Sequence, residues 1–466
     1  MGARTSGLKT AAVMTAATAG YAVSIIANWP GHFPPDAIDQ LAQGRAGVFN
    51  FWHPPVMAWL LGLADKIAPG ASLFFVADAA LFFAAVAALT VVRGGSWIAA
   101  ALIVVLSASP LVLIYQGLVV KDVLFADLAV AAFAAIAWAA RLWDRRPARL
   151  MLGCLALALL TLAALARQNG AVVAVVGAAT LAGVDRRVGS RYWLRSAGLF
   201  GAALAIMALA GGVAETWFQA HSDHRPEAAR QWMTLQVYDL AGAVRRDPGR
   251  PLAVLRRRAP TIEAFIRHDA APAYDPTRID PMYRTGGWNT VVKAPNPAVG
   301  EEWRMLITGA PALYLAQRWE AFRQVMFTPD IDACAAVLVG VDPGHPDWLR
   351  AAGLAARETD KDDWDGDYAQ GFLHTPVFAH ATYALLALAL LALVARDLAR
   401  GGDPELLATG GLLLAALAYV ATFAFISIAC DYRYLYFLDV AAMAALVQRA
   451  ALGLRASTAA ATLSNT

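Results

Sequence analysis

Polar residues interrupt this chain only at long intervals. Stretches of about 18 or more apolar residues with almost no charge recur along it, the length a helix needs to cross about 30 Å of hydrocarbon. The pattern predicts about ten spans, at 10–28, 71–92, 95–114, 119–140, 150–165, 170–184, 195–214, 374–395, 404–428 and 434–451. Between the first two, Pro30, Pro34-Pro35 and Pro54-Pro55 break the chain. They leave two short amphipathic helices, near 36–45 and 55–67, too short to cross and expected to lie along the interface. Residues 215–373 are mostly polar, with frequent prolines and helical patches near 224–246, 250–268 and 301–325. The expectation is an all-α membrane protein with interfacial helices and an outer, mostly helical insertion. Its divisions are a membrane module over 1–214 with an outer catalytic loop at 29–70, a loop domain over 215–373, a second membrane module over 374–455, and a disordered tail over 456–466.

Charge orients the spans. Arg141, Arg145, Arg146 and Arg149 fall in one loop and Arg186, Arg187, Arg191 and Arg195 in another, both on the side of the two termini if the spans alternate. The opposite side, apart from 215–373, holds only Arg45, Lys66, Lys121, Arg167 and Arg433. Basic residues resist translocation, so both termini are expected in the cytoplasm. The first span, with Arg4 and Lys9 before it and no clear cleavage site after it, reads as retained. Of 466 residues, 59% are hydrophobic and 16% charged, against about a quarter charged in soluble proteins. A net charge of +3 gives no reason to expect nucleic acid. Cys154, Cys334 and Cys430, one of them inside a span, suggest neither a disulfide framework nor a thiolate metal cluster.

The unusual polar residues gather on the outer side, and each admits a plainer reading beside a functional one. Asp36 follows two prolines and could cap a helix, with Asp39 completing a box-like pair. A carboxylate in an outer cleft also suits a general base, kept ionised by the helix dipole. His53, in Asn50-Phe51-Trp52-His53-Pro54-Pro55, is either an interfacial histidine or a phosphate or acceptor contact. Lys121 and Asp122 open the fourth span, as a local ion pair or as a fixed cation for a phosphate. Asp127, one and a half turns deeper, could pair with an arginine across the bundle. Arg167-Gln168-Asn169-Gly170 could be a hairpin turn or a donor of phosphate contacts through Arg167 and Asn169. Asp431-Tyr432-Arg433-Tyr434 is either an interface girdle or a planar arginine fork for phosphate beside tyrosines that stack on sugar. Asp36, Asp39 and Asp122 could form an oxygen-ligand metal site, but two or three carboxylates make weak ligand evidence, and no metal or cofactor is assigned. No P-loop, dinucleotide fingerprint, nucleophile elbow or His-Glu-x-x-His zinc motif is present.

In this order the pieces resemble bacterial GT-C membrane glycosyltransferases, of the protein O-mannosyltransferase and aminoarabinose-transferase type. The resemblance rests on the acidic residue after the first span, His53-Pro54-Pro55, Lys121-Asp122 and Tyr432-Arg433-Tyr434. It is concentrated in 1–175 and 425–450, with touches at Val237-Tyr238-Asp239-Leu240 and Pro311–Arg318. It implies transfer of a sugar, with inversion, from a polyprenyl-phosphate donor in the bilayer to the hydroxyl of an envelope glycan, lipid or protein, at the periplasmic face of the inner membrane. By the same likeness Asp36 takes the catalytic carboxylate's place, and Lys121, Arg167 and Arg433 bind phosphate. One departure bears on the base: Ala37, not glutamate, follows Asp36. Two rivals stay open. A lipid-diphosphate ligase or polymerase would ask for the same cations. A solute or lipid transporter would put its charges at the bilayer midplane and often show repeated halves.

Overall fold

The computed structural model describes residues 2–185, 192–223, 227–292, 295–342, 344 and 346–463. The first half is built from α1 (Gly2–Asn28), α2 (Pro35–Ala46), α3 (Pro55–Ile67), α4 (Ser72–Val91), α5 (Trp97–Ala108), α6 (Pro110–Leu113), α7 (Lys121–Arg141), α8 (Arg146–Ala166), α9 (Ala171–Gly183) and α10 (Tyr192–Ala220). Helices α2 and α3 occupy the two predicted amphipathic stretches. Each starts on the second proline of its pair, where a missing N–H costs nothing. They cross with Gly44 against Gly62, where a Cβ on either would strike the other's backbone.

Among the described residues, eight helices are long and apolar enough to cross a membrane, or nine if the pair α5–α6, bent by 75°, is counted as one span. The chain is a multi-pass membrane protein. The expected ten spans are therefore corrected. Pro110 breaks the third, and the sixth is the 13-residue α9, only about 20 Å long at 1.5 Å per residue. An apolar run reports composition and cannot say where its helix stops. The arginines Arg186, Arg187 and Arg191, used to orient that loop, lie outside the described residues. Central α7 is buried almost throughout, its alanines letting α4, α8, α21 (Glu405–Ile426) and α22 (Tyr436–Leu463) close around it.

Helix α20 (His380–Ala399) precedes α21. One end of the bundle collects the C-termini of α1, α8, α10 and α21 and the N-termini of α7, α9, α20 and α22. At the other end Arg93 pairs with Asp403 and Glu405, and Arg449 with Asp397.

Between α10 and α20 the chain forms α11 (Glu227–Arg246), α12 (Ala253–Arg258), α13 (Pro260–Phe265), α14 (Asp280–Tyr283), α15 (Trp288–Val291), α16 (Pro297–Gly309), α17 (Pro311–Phe327), α18 (Pro346–Ala351) and α19 (Asp360–Gln370). The patch read near 301–325 is two helices divided before Pro311. Tyr238, Phe265, Trp288 and Val299 centre a second hydrophobic cluster there. Buried Glu302 serves it by accepting the N–H groups of Val254 (2.7 Å) and Leu255 (3.1 Å) at the start of α12, donors no helical carbonyl can reach. Arg318 anchors it to the bundle. Its guanidinium pairs with Asp239 at 3.1 Å and donates to the carbonyls of Phe425 (2.7 Å) and Ser427 (2.6 Å).

Four more expectations change. Cys334 and Cys430 form a disulfide joining the region between α10 and α20 to the segment before α22, so the expected absence of disulfides is wrong; only Cys154 is free. The α22 backbone stays helical to Leu463, past Arg455 where a disordered tail was expected, in keeping with its run of alanines. Asp127 meets no arginine; Gln116 donates to it at 3.1 Å. Asp36 does not cap α2 either, because Pro34 holds that position and makes no side-chain cap.

Candidate functional site

The segment carrying Asp36 is pinned from both sides. His32 pairs strand-like with the α6–α7 linker, its N–H donating to Gly117 O (2.9 Å) and its carbonyl accepting from Val119 (3.0 Å). Phe33 does the same with the region between α10 and α20, through Gly340 O (2.7 Å) and Asp342 N–H (3.0 Å). Prolines 34 and 35 then turn the chain into α2 with Asp36 in its first turn. The α2–α3 loop is held against the end of α10, Phe49 N–H donating to His221 O (3.0 Å), and presents His53.

Seven of the predicted residues meet there. Arg433 Nη2 lies 2.9 Å from Asp36 Oδ2 and 2.9 Å from Asp431 Oδ2, one guanidinium shared by two carboxylates. The other Asp36 oxygen is 3.5 Å from His53 Nε2, and Lys121 donates to His53 Nδ1. That donation leaves the ring proton on Nε2, facing Asp36. The Tyr434 ring joins the group beneath both Arg433 and Arg167, 5.7 and 5.4 Å from their guanidinium carbons. Arg167, at the end of α8, hydrogen-bonds to Asp122 at the start of α7. The side chains of Asp36 and Asp431 are 26% and 27% exposed and those of Asp122 and Arg167 are buried, so the cluster opens to its surroundings at the two carboxylates that share Arg433.

Two predicted residues sit apart from this network. Asp39 accepts from Gln43 (2.6 Å) and Asn50 (3.5 Å), fastening α2 to the loop after it. Asn169 donates to Thr422 at 2.7 Å, tying the α8–α9 turn to α21. The suggested carboxylate metal site is not assembled, since Asp122 is taken by Arg167 and Asp39 by Gln43. Among the described residues the one group with metal-type ligand atoms within 4.8 Å of one another is His32, Asp362 and Asp365.

The electrostatics separate the two carboxylates. Burial alone would lift Asp36, but Arg433, then His53 and Lys121, outweigh it and hold the carboxyl well below its usual range. Burial raises Asp431 despite Arg433. Burial and Lys121 lower His53, keeping the imidazole neutral at neutral pH. Two buried donors in the cluster have no hydrogen-bond partner, Arg433 Nη1 and Arg167 Nε. Buried donors are rarely left so; these two suit an anion.

Sequence reasoning missed Gln231 on α11, which donates to Trp52 O and accepts from Gln168 (3.1 Å), bridging the His53 loop and the Arg167 turn. A glutamine on a polar helix 60 residues away carries no local signal.

No protein-family model matches the chain, and no curated protein does. Two solved structures are similar in shape, both of an archaeal oligosaccharyltransferase from Archaeoglobus fulgidus. One is AglB in complex with an inhibitory peptide and a dolichol-phosphate, at 15% identity and a TM-score of 0.41 over 93% of this chain. The other is tethered to an acceptor peptide containing the NVT sequon via a disulfide bond, at 13% identity and a TM-score of 0.39 over 93% of this chain. This chain spans about half the length of each, 50% and 49%. At that overlap no residue's role carries across.

Proposed function

We propose that this protein is a GT-C-type glycosyltransferase of a bacterial inner membrane, with both termini cytoplasmic. It moves a sugar from a polyprenyl-phosphate donor to an acceptor hydroxyl at the periplasmic face. The observation that carries this reading is Arg433, which bridges Asp36 and Asp431 while its Nη1 stays buried and unpartnered. A donor phosphate takes that spare nitrogen and draws the guanidinium away from Asp36. The freed carboxylate accepts the acceptor's hydroxyl proton as the oxygen attacks the anomeric carbon. The bond from that carbon to the phosphate oxygen breaks, and the leaving phosphate gains negative charge. Arg433, Lys121 and Arg167 stabilise that charge where it grows. His53, oriented by Lys121, holds Asp36 for the attack. Tyr434 offers the sugar a ring face.

The test is donor binding. Polyprenyl phosphate should bind the wild type in nanodiscs, and Arg433→Gln should weaken it by roughly tenfold or more, the scale of one charge-assisted hydrogen bond. Equal binding by both would remove Arg433 from the phosphate site. Clear preference for the diphosphate would favour the ligase reading.

A further inference from the structure

His32, Asp362 and Asp365 converge below the pinned loop, four residues before Asp36. All three are buried, with His32 Nδ1 3.5 Å from Asp362 Oδ1 and His32 Nε2 3.9 Å from Asp365 Oδ2. The histidine's tautomer follows from its neighbours. Asn28 spends its amide N–H groups on the carbonyls of Ser24 and Leu113, both at 2.6 Å, so its oxygen must face His32 Nε2, 2.9 Å away. The ring proton therefore sits on Nε2, and Nδ1 carries the lone pair, which accepts from the Gly340 N–H.

The carboxylates are left unmatched. Asp362 gives one oxygen to the α19 cap, accepting from Thr359 Oγ1 (2.7 Å) and Thr359 N (3.0 Å). Its other oxygen is buried without a hydrogen-bond partner, and so are both oxygens of Asp365. The nearby cations are turned elsewhere: Arg357 donates to Gly31 O at 2.9 Å, with its Nη2 3.5 Å from Asp362, and Lys361 donates to Trp29 O. A fully buried carboxylate with no donor is strongly unfavourable unless a proton or a cation answers it.

We propose that His32, Asp362 and Asp365 bind one divalent transition-metal ion of the zinc class, which ties the Asp36-bearing loop to α19. One imidazole and two carboxylates are a zinc-type donor set, and two negative oxygens balance the ion's charge. His32 Nδ1 and Asp362 Oδ1, 3.5 Å apart, are spaced as two ligands about 2.1 Å from a common centre, and each of the three residues offers a ligand atom within 4.8 Å of the others. Asn28 then acts as the outer-sphere acceptor that metal-bound histidines usually have on their far nitrogen. The ion takes the Nδ1 lone pair in place of the Gly340 N–H, which donates to it at 2.9 Å.

The test uses the full chain in nanodiscs without a polyhistidine tag, stripped with chelator, incubated with Zn(II) and passed through gel filtration before its metal is measured. The wild type should keep about one zinc per chain, and Asp365→Asn, which preserves side-chain volume, should hold it roughly tenfold or more weakly. No zinc on the wild type, or equal zinc on both, overturns the proposal. X-ray absorption of the wild type decides it whether or not the variant folds. One imidazole nitrogen with oxygens at about 2.0–2.1 Å supports the site, and a sulfur shell overturns it.

Discussion

At Asp36, one carboxylate is held by one guanidinium and one imidazole, and that arrangement makes its own predictions. Its value in the folded protein lies below that of the unfolded chain. Its pairing therefore adds stability above the ordinary carboxylate range and loses it as pH falls through the lowered value. In kcat/KM, which reports the free enzyme, there should be no acid limb from Asp36 between about pH 5 and 8. Arg433→Gln removes the largest cation opposing burial, so an acid limb should appear and move upward in the pH–rate profile. A flat profile in that variant would contradict the pairing. Asp39→Asn should keep transfer within a few-fold, because its partners are Gln43 and Asn50. The sequence could mark Asp36 and Arg433 as unusual, since charge near a span entrance is costly. It could not show that Asp39, only three residues further along the helix, is spent on its own loop.

Helices and loops set where those residues stand, and the segment between α21 and α22 is the most heavily tied. Arg318 holds its start, Cys334 is bonded to Cys430, and Cys430 N–H donates to Thr277 O at 2.8 Å, all just before Asp431 and Arg433. Thiol titration of the denatured protein should find only Cys154 free before reduction and all three cysteines after it. Arg318→Met strips a fully buried cation from Asp239 and should cost about 3–5 kcal/mol in unfolding free energy. A loss below about 1 kcal/mol, as for a surface pair, would show that Arg318 is not the anchor. None of this could be read from the chain. The two cysteines stand 96 residues apart, and nothing local says that a polar loop folds back onto a span entrance.

Over the entire molecule, period and length carried most of the fold. Apolar runs located the long helices, and paired prolines located α2 and α3, because both signals are local. Errors came where Pro110 breaks an apolar run, where the 13-residue α9 is too short to count as a full span, and where distant parts pair, as His32 does with Asp362. The gathering of Asp36, His53, Lys121 and Arg433 from four separate stretches depends on which end of a helix each stands at, and only the packed bundle shows how near those ends come. The measurement that bears most directly on the central claim is turnover in proteoliposomes with radiolabelled polyprenyl-phosphate sugars, wild type beside Asp36→Asn. The wild type should transfer sugar and release free polyprenyl phosphate, and the variant should be slower by roughly 100-fold or more, as loss of a general base requires. Undiminished turnover by a folded Asp36→Asn protein would contradict the account.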